Sequence, residues 1–323
     1  MTIKQKLIPL LVLACGLGAV HAAPGDYPAK PIKMIISFPP GGPTDSSLRI
    51  ISEKLSELMK QTVYIDNKAG AGGNVGTQLA ARAEPDGYTF LASSSAFAVN
   101  PSMYAGKAGY DPIKDFVPVV VVSTQPNVIS VNEKVQVKNF AELKELAKTG
   151  KLSFSSPGSG TTPHLTCENI FRVNWKSDIV HIPYKGAGPA SLAVVAGDTP
   201  VACTAAFGVL QFHKQGRVKI LGISSDKRLP SLPDVPTFAE LGYPDINDYT
   251  WTTIFAPAGT PAAIVQKMNH AVNQILLMPE FKEKFDKGGL IPVGGSQQET
   301  ATYIASEVKR WSQVVKMTGA KAE

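Results

Sequence analysis

Cysteine is scarce in this chain of 323 residues, with only Cys15, Cys167 and Cys203. No Cys-x-x-Cys pair and no His-Glu-x-x-His run occurs, so neither a structural nor a catalytic zinc site has support. The Gly-x-Ser-x-Gly elbow of an α/β-hydrolase is also missing; Gly158-Ser159-Gly160 comes near it without matching. No strong charge of one sign is present. Lys and Arg number 32 against 26 Asp and Glu, a net charge of +6, and they are scattered, which speaks against a nucleic-acid surface and leaves only a slight bias toward anions. After the first 22 residues, no run approaches the roughly 20 apolar residues that cross a bilayer. Repeats with a period of about 20 to 50 residues and low-complexity tracts are lacking too.

The first 22 residues read as an export signal. Lys4 and Lys6 form a basic start, Leu7 to Val20 is apolar, and Val20-His21-Ala22 suits cleavage after Ala22. A lipoprotein signal acylated at Cys15 is the lesser alternative, because it would leave an apolar mature start. Without Lys4 and Lys6 the balance is 30 basic against 26 acidic residues, or +4. The expected location is the periplasm. There Cys167 and Cys203 can form one disulfide or remain two buried thiols, since sequence does not give their separation. A mature length of about 300 residues suits two domains sharing a cleft.

Residues 32 to 59 organise the chain. Ile32, Met34, Ile36 and Phe38 alternate as in a strand, whereas Leu48, Ile51, Leu55 and Leu58 recur at three and four as on one helix face. Between them, Pro39 to Asp45 is rich in Pro and Gly. Such a junction can bring bare backbone N–H groups to an anion at a helix start, or can simply be a tight turn. Thr62 to Asp66 reads as a second strand, followed by a glycine-rich turn over 67–76. That turn has the spacing Gly-x-Gly-x-x-x-Gly and no acidic residue at the end of a following strand, which argues against a Rossmann cofactor site. Tyr88 to Ala92 predicts a third strand ending at Ser93-Ser94-Ser95. Asp115 to Val131 is Val-rich and is expected to break at Gln125-Pro126, where the chain leaves one domain for the next.

From Phe140 the alternation restarts. Strands are expected at 152–155, 179–183, 201–205 and 219–224, with turns at 156–162 and 184–188 leading into helices. Asp226 to Asp248 is irregular, Tyr249 to Ala256 predicts a returning strand, and helices are expected near 262–277, 280–287 and 297–317. The recurring unit of strand, small-residue turn and helix predicts an α/β fold with mostly parallel sheets and helices on both faces. Ligands of such folds bind at the carboxyl ends of strands, and a cleft between domains is a common pocket.

Single residues leave choices open. His164 follows a Gly/Thr turn and can donate to a ligand or support the helix start, but as a general base it lacks an identifiable nucleophile. His181, in an apolar strand, reads as a core histidine. Lys185 can counter a carboxylate or stand in solvent. Phe38, Phe97 and Phe207 lie near turns, where they can pack in the core or against a ligand.

Several motifs in order resemble those of the substrate-binding proteins of tripartite tricarboxylate transporters, the Bug (Bordetella uptake gene) family. They are Tyr27-Pro28-Ala29-Lys30-Pro31-Ile32, Phe38-Pro39-Pro40-Gly41-Gly42-Pro43-Thr44-Asp45, Gly70-Ala71-Gly72-Gly73-Asn74-Val75-Gly76, Pro85-Asp86-Gly87-Tyr88-Thr89, Gly158-Ser159-Gly160-Thr161-Thr162-Pro163-His164-Leu165, Ile182-Pro183-Tyr184-Lys185-Gly186-Ala187-Gly188-Pro189-Ala190 and Pro233-Asp234-Val235-Pro236-Thr237. The resemblance covers essentially the whole mature chain. It implies a periplasmic-binding-protein fold, two doubly wound α/β domains around a ligand cleft, with domain 1 at 23–124 plus 249–323 and domain 2 at 125–248. It further implies a monomer without metal or cofactor that is not an enzyme, takes up a small organic carboxylate and delivers it to large and small permease subunits. The resemblance implies a carboxylate gripped by backbone amides and ordered waters from the two domains; carried over, the grip would use Gly41, Gly42, Pro43, Thr44 and Asp45 on one side, and Gly160, Thr161, Thr162 and His164 with Ala187 and Gly188 on the other. Ser94 and Ser95 would lie nearby. Lys68-Ala69 replaces the family's usual Arg-Pro, and Thr204 stands where many members carry an acidic residue, with Phe207 close by. That change argues against a cationic amino acid, and the phenylalanines make an aromatic dicarboxylate such as terephthalate the first expectation. A secreted carboxylester hydrolase and a sensor docking on a membrane receptor are the competing readings.

Overall fold

The computed structural model describes residues 27–322. The expected export signal and Cys15 lie outside them. Among the described residues, no helix is long and apolar enough to cross a membrane.

The first unit alternates strand and helix: β1 (Ile32–Ile36), α1 (Pro43–Met59), β2 (Val63–Asn67), α2 (Asn74–Ala81), β3 (Thr89–Ser94) and α3 (Ala96–Met103). β4 (Phe116–Asn132) leads to the second unit: α4 (Phe140–Ala147), β5 (Ser153–Ser156), α5 (Thr162–Glu168), β6 (Val180–Pro183), α6 (Ala187–Ala196), β7 (Val201–Ala205), α7 (Ala206–Lys214) and β8 (Val218–Ile223). The chain returns through β9 (Tyr249–Pro257) and closes with α8 (Ala262–Leu276), α9 (Pro279–Lys287), β10 (Ile291–Gly294) and α10 (Gln297–Thr318).

One mixed sheet runs β2-β1-β3-β9-β4-β7-β5-β6, with β8 and β10 also paired to β4. β1 is parallel to β2 and β3, and β5 to β6 and β7, as the α/β alternation predicts. Every partner of β4 is antiparallel, so the sheet is not mostly parallel as expected. The reason is the returning strand β9, which runs antiparallel to both β3 and β4.

β4 corrects the expected break at Gln125-Pro126. The strand runs on without interruption, pairing with β9 through Pro126 and with β7 and β8 from Asn127 onward. Proline removes one donor but leaves the extended path intact, and Pro126 stands where the strand changes partners. The N–H of the next residue, Asn127, donates to Ser224 Oγ at 2.8 Å. One strand therefore belongs to both halves of the sheet.

Side-chain alternation along β1 sends Ile32, Met34 and Ile36 to one face, where they meet Leu48, Ile51 and Leu55 of α1 together with α8 and α9. Ile35 points to the other face, which α3 and α10 cover with Phe97, Ile304 and Trp311. Buried Glu307 of α10 accepts hydrogen bonds from the indole N–H groups of Trp251 and Trp311, both at 2.9 Å, which satisfies the tryptophans and locks α10 onto β9. In the second unit, Phe140, Phe154, Phe171 and Phe238 form a separate core. Cys167 and Cys203 are joined there, tying α5 to β7 across a Cα–Cα distance of 6.3 Å and resolving the choice that sequence left open.

Candidate functional site

Five helices of eighteen residues or fewer begin around one small cavity. Its wall comprises Phe38, Pro39, Gly42, Pro43 and Thr44 at the start of α1, Ser94 and Ser95 at α3, and Pro157, Thr161, Thr162 and Pro163 at α5. Ala187 of α6, Ala205 before α7 and Thr250 of β9 complete it. The cavity measures about 30 Å³, room for one or two water-sized groups. Among the described residues no Lys, Arg, Asp or Glu lines it.

The local sequence builds each helix start in the same way. Gly41 adopts φ +81°, a left-handed turn open to glycine at no steric cost, and Pro43 then occupies the first position of α1 without wasting a donor. Gly160, at φ +81°, turns the chain into α5, and a Cβ there would stand 2.4 Å from Asn100 Oδ1. α5 runs directly into a wider-pitched turn at Asn169–Asn174. None of the N-cap residues of α1, α3, α5, α6 and α7 caps its helix with its own side chain among the described residues, but Ser94 Oγ accepts from Ala96 N–H in α3 and Gln125 Oε1 from Phe207 N–H in α7, which leaves α1, α5 and α6 without a side-chain acceptor. Away from the cavity, α4 and α10 are capped by Asn139 and Ser296. The free N–H groups at the starts of α1, α5 and α6 and the positive ends of the helix dipoles thus favour an anion in the neutral cavity.

Asp45 belongs to this turn but faces its own backbone. Its carboxylate accepts from Gly41 N–H at 2.9 Å, Arg49 Nε at 2.8 Å and Asn67 Nδ2 at 3.0 Å. Burial alone would raise its pKa, but the bonds from Arg49, Gly41 and Asn67 outweigh it and hold the group below the ordinary carboxylate value. The charge is therefore matched before any ligand arrives.

His164 stands behind the α5 turn, where its Nδ1 accepts from Gly160 N–H at 3.4 Å. Its ring stacks on that of His181 with centroids 4.0 Å apart. Burial, with the neighbouring His181 and Arg172, drives the His164 pKa well below its ordinary value, so the ring is neutral. His181 contacts Ser156 Oγ at 2.6 Å, and both lie outside the cavity lining.

The halves meet across the cavity. Ser95 Oγ lies 2.7 Å from Thr162 Oγ1, which lies 2.8 Å from Thr250 Oγ1. At the mouth, a Cβ on Gly186 would stand 2.6 Å from Pro39 Cγ, and one on Gly72 would stand 2.6 Å from the Ser159 carbonyl. Outside this seam is a chamber of about 360 Å³ that shares Phe38, Pro39 and Pro157 with the inner cavity and includes Gly70–Gly73, Tyr104 and Lys185. A separate recess of about 320 Å³ lies among Val121, Tyr249, Val293 and Tyr303. It holds the start of α10, where Ser296 caps the Glu299 N–H and the Glu299 carboxyl group itself lines the recess, which disfavours an anion there.

Of the residues expected from sequence, Phe38, Gly42, Pro43, Thr44, Ser94, Ser95, Thr161, Thr162 and Ala187 come together in the lining. Gly41, Asp45, Gly160, His164 and Gly188 belong to the same turns but lie outside it, as do Thr204 and Phe207. Phe207 N–H donates to Gln125 Oε1 at 2.9 Å. Phe97 is a core residue stacked on Phe255 at 4.1 Å. Sequence reasoning missed Pro39, Pro157, Pro163, Ala205 and Thr250 as lining residues; the first four sit within or beside recognised turns, whereas Thr250 carries no local signal.

Residues 47–320 match the family described as the tripartite tricarboxylate transporter family receptor. The chain is similar to Protein BugT of Bordetella pertussis, 36% identical over 325 residues, covering 99% of each chain. Among solved structures, R. palustris Rpa4515 with adipate superimposes with a TM-score of 0.88 at 31% identity, over 92% of this chain and 100% of that one. MatC (Rpa3494) from Rhodopseudomonas palustris, with bound malate, gives a TM-score of 0.85 at 28% identity, over 90% of this chain and 100% of that one.

Proposed function

Because the chain belongs to the tripartite tricarboxylate transporter receptor family, we propose that it is a periplasmic solute-binding protein that closes over a small organic carboxylate and delivers it to the large and small permease subunits of a tripartite transporter. The observation that carries this reading is the convergence of five helix starts, those of α1, α5 and α6 without a side-chain acceptor, on a cavity without charged side chains. Backbone N–H groups directed at one point stabilise an anion, and a carboxylate is the anion whose size fits so small a space.

The two halves, 23–124 with 249–323 and 125–248, would act as the jaws. α1 and α3 contribute from one half and α5, α6 and α7 from the other, so a carboxylate completes its shell of donors only when the jaws meet. Phe38 is the one aromatic ring of the lining and can lie against an apolar spacer. That spacer could be aromatic, as in terephthalate, or aliphatic, as in the adipate carried by one structural neighbour.

Thermal unfolding of the mature protein against a library of aliphatic di- and tricarboxylates, benzoate, phthalate isomers and acidic amino acids tests the reading. A ligand that binds the folded state alone raises the midpoint by about 2.7 kcal/mol of added stability at a hundred times its Kd. A midpoint unmoved by every acid in the library refutes the function.

A further inference from the structure

The hydroxyl groups around the cavity belong to a chain of hydrogen bonds whose direction can be worked out. Its far end is Thr166 Oγ1, which lies 2.9 Å from the Thr162 carbonyl, 2.9 Å from Asp248 Oδ2 and 2.9 Å from Asn127 Nδ2. A carbonyl and a carboxylate only accept, so the Thr166 proton points to one of them and Thr166 receives the Asn127 amide N–H. Turning the Asn127 amide around would set Thr166 to donate to Asn127 and leave its lone pairs against both oxygens. Asn127 Oδ1 consequently accepts from Thr250 Oγ1 at 2.8 Å.

The direction propagates to the cavity. Since Thr250 spends its proton on Asn127, it must accept from Thr162 at 2.8 Å, and Thr162 must accept from Ser95 at 2.7 Å. The Thr161 proton is likewise spent, on the Gly158 carbonyl at 2.8 Å. Ser95 and Thr161 therefore present only lone pairs to the cavity they line. Ser94 differs: its Oγ accepts from Ala96 N–H at 3.3 Å and keeps its own proton free. The cavity thus has a donor side, made of Ser94 and the helix starts, and an acceptor edge at Ser95 and Thr161.

A bare carboxylate satisfies the donor side but faces the acceptor edge with further lone pairs. We propose that the acceptor edge makes this cavity selective for carboxylates bearing a neighbouring hydroxyl group, 2-hydroxy acids being the simplest class. The hydroxyl donates to Ser95 while the carboxylate takes the N–H groups. An ammonium group in that place would lack a counter-charge, because no carboxylate lines the cavity. The inference rests on the carboxylate-binding reading and sharpens it.

Calorimetric titration of the full-length mature protein with matched acids tests the proposal: malate against succinate, 2-hydroxyglutarate against glutarate, and mandelate against phenylacetate. The hydroxylated member of any pair that binds should do so about tenfold more tightly, the consequence of one satisfied rather than unpaired buried acceptor. Thr250→Val releases the Thr162 proton, which can turn to Ser95 and free the Ser95 proton in turn, so Ser95 becomes a donor while Thr161 is unchanged. The tenfold ratio should then fall to about one or invert, and Thr250→Ser should restore it. Equal affinities within every binding pair overturn the proposal, as does a ratio that survives Thr250→Val. If no member of any pair binds but another acid of the wider library does, this inference fails and the carboxylate reading stands; if nothing in that library binds, both fail.

Discussion

Acid should destabilise the fold through one pair of stacked rings. Burial is the first cause of depression at both His164 and His181, with Arg172 adding repulsion, and it lowers His181 from 6.5 to about 4. In the unfolded chain each ring titrates near 6.5. Folded values lie below unfolded ones, so the unfolded state binds more protons in the interval between them. Stability is therefore fully present above about pH 6.5, falls as pH drops below it, and levels off once the folded state also takes up the proton. For His181 the interval from 6.5 to about 4 corresponds to about 3 kcal/mol, and His164 adds to it with the same sign. The groups facing the pair are Ser156 Oγ at 2.6 Å from His181, the Phe154 ring at 4.8 Å, and the Glu168 carboxyl at 3.8 Å from His164 Nε2. Burial raises the Glu168 pKa, which acts in the opposite direction at the acid end. Comparison with a single-histidine variant removes this background. Urea unfolding between about pH 7.5 and 4.5 should show stability falling as pH drops below about 6.5, and His181→Gln should lower the slope by up to about 1.4 kcal/mol per pH unit, the value for one proton. An unchanged slope in His181→Gln would refute the neutral-stack argument.

Three further substitutions test the site and its frame. Asp45→Ala removes the acceptor shared by Gly41, Arg49 and Asn67, so it should loosen the α1 turn, cost about 1 to 3 kcal/mol in urea unfolding and weaken carboxylate binding in calorimetry. Cys167→Ser opens a crosslink spanning 36 residues of sequence and should lower stability by about 4 kcal/mol, read as a shifted urea midpoint without reductant. Gly186→Val places a side chain against Pro39, 2.6 Å away at its Cβ, so small-angle scattering should report a larger radius of gyration; an unchanged radius would show that the seam yields locally instead.

How much of this was legible follows from what each residue pattern encodes. Periodicity marks which face of an element is buried, so β1 and the last three helices fall within a residue or two of their expected bounds, whereas α1 starts at Pro43, inside the turn expected over Pro39 to Asp45. It does not name sheet partners, which is why the antiparallel neighbours of β4 had to come from structure. Proline at 126 reads as a break because it removes a donor, yet β4 needs that donor least where it changes partners. Small-residue turns revealed where helices start, and nine of the expected site residues line the cavity as a result. Thr204 shows the limit of that signal. Successive strand residues face opposite ways, and Ala205 takes the cavity side while Thr204 is buried behind it. Thr250 reaches the cavity from a strand far along the chain, and only the tertiary fold brings it to Thr162.

A cavity lined by backbone donors instead of arginine or lysine has a consequence for release. A guanidinium–carboxylate pair stays intact on whichever jaw carries the arginine, so opening the cleft would leave the ligand attached to that half. Here the first half supplies the starts of α1 and α3 and the second those of α5, α6 and α7, and the Ser95–Thr162 contact crosses between them. Separating the halves divides the donor set, and the affinity should fall on both sides at once. Under the proposed closure, binding and closing would share one equilibrium, because the ligand would favour the closed state by the difference between a complete shell and two partial ones. On the proposed function, a permease that pulls the two jaws apart would need no competing anion site to unload the ligand.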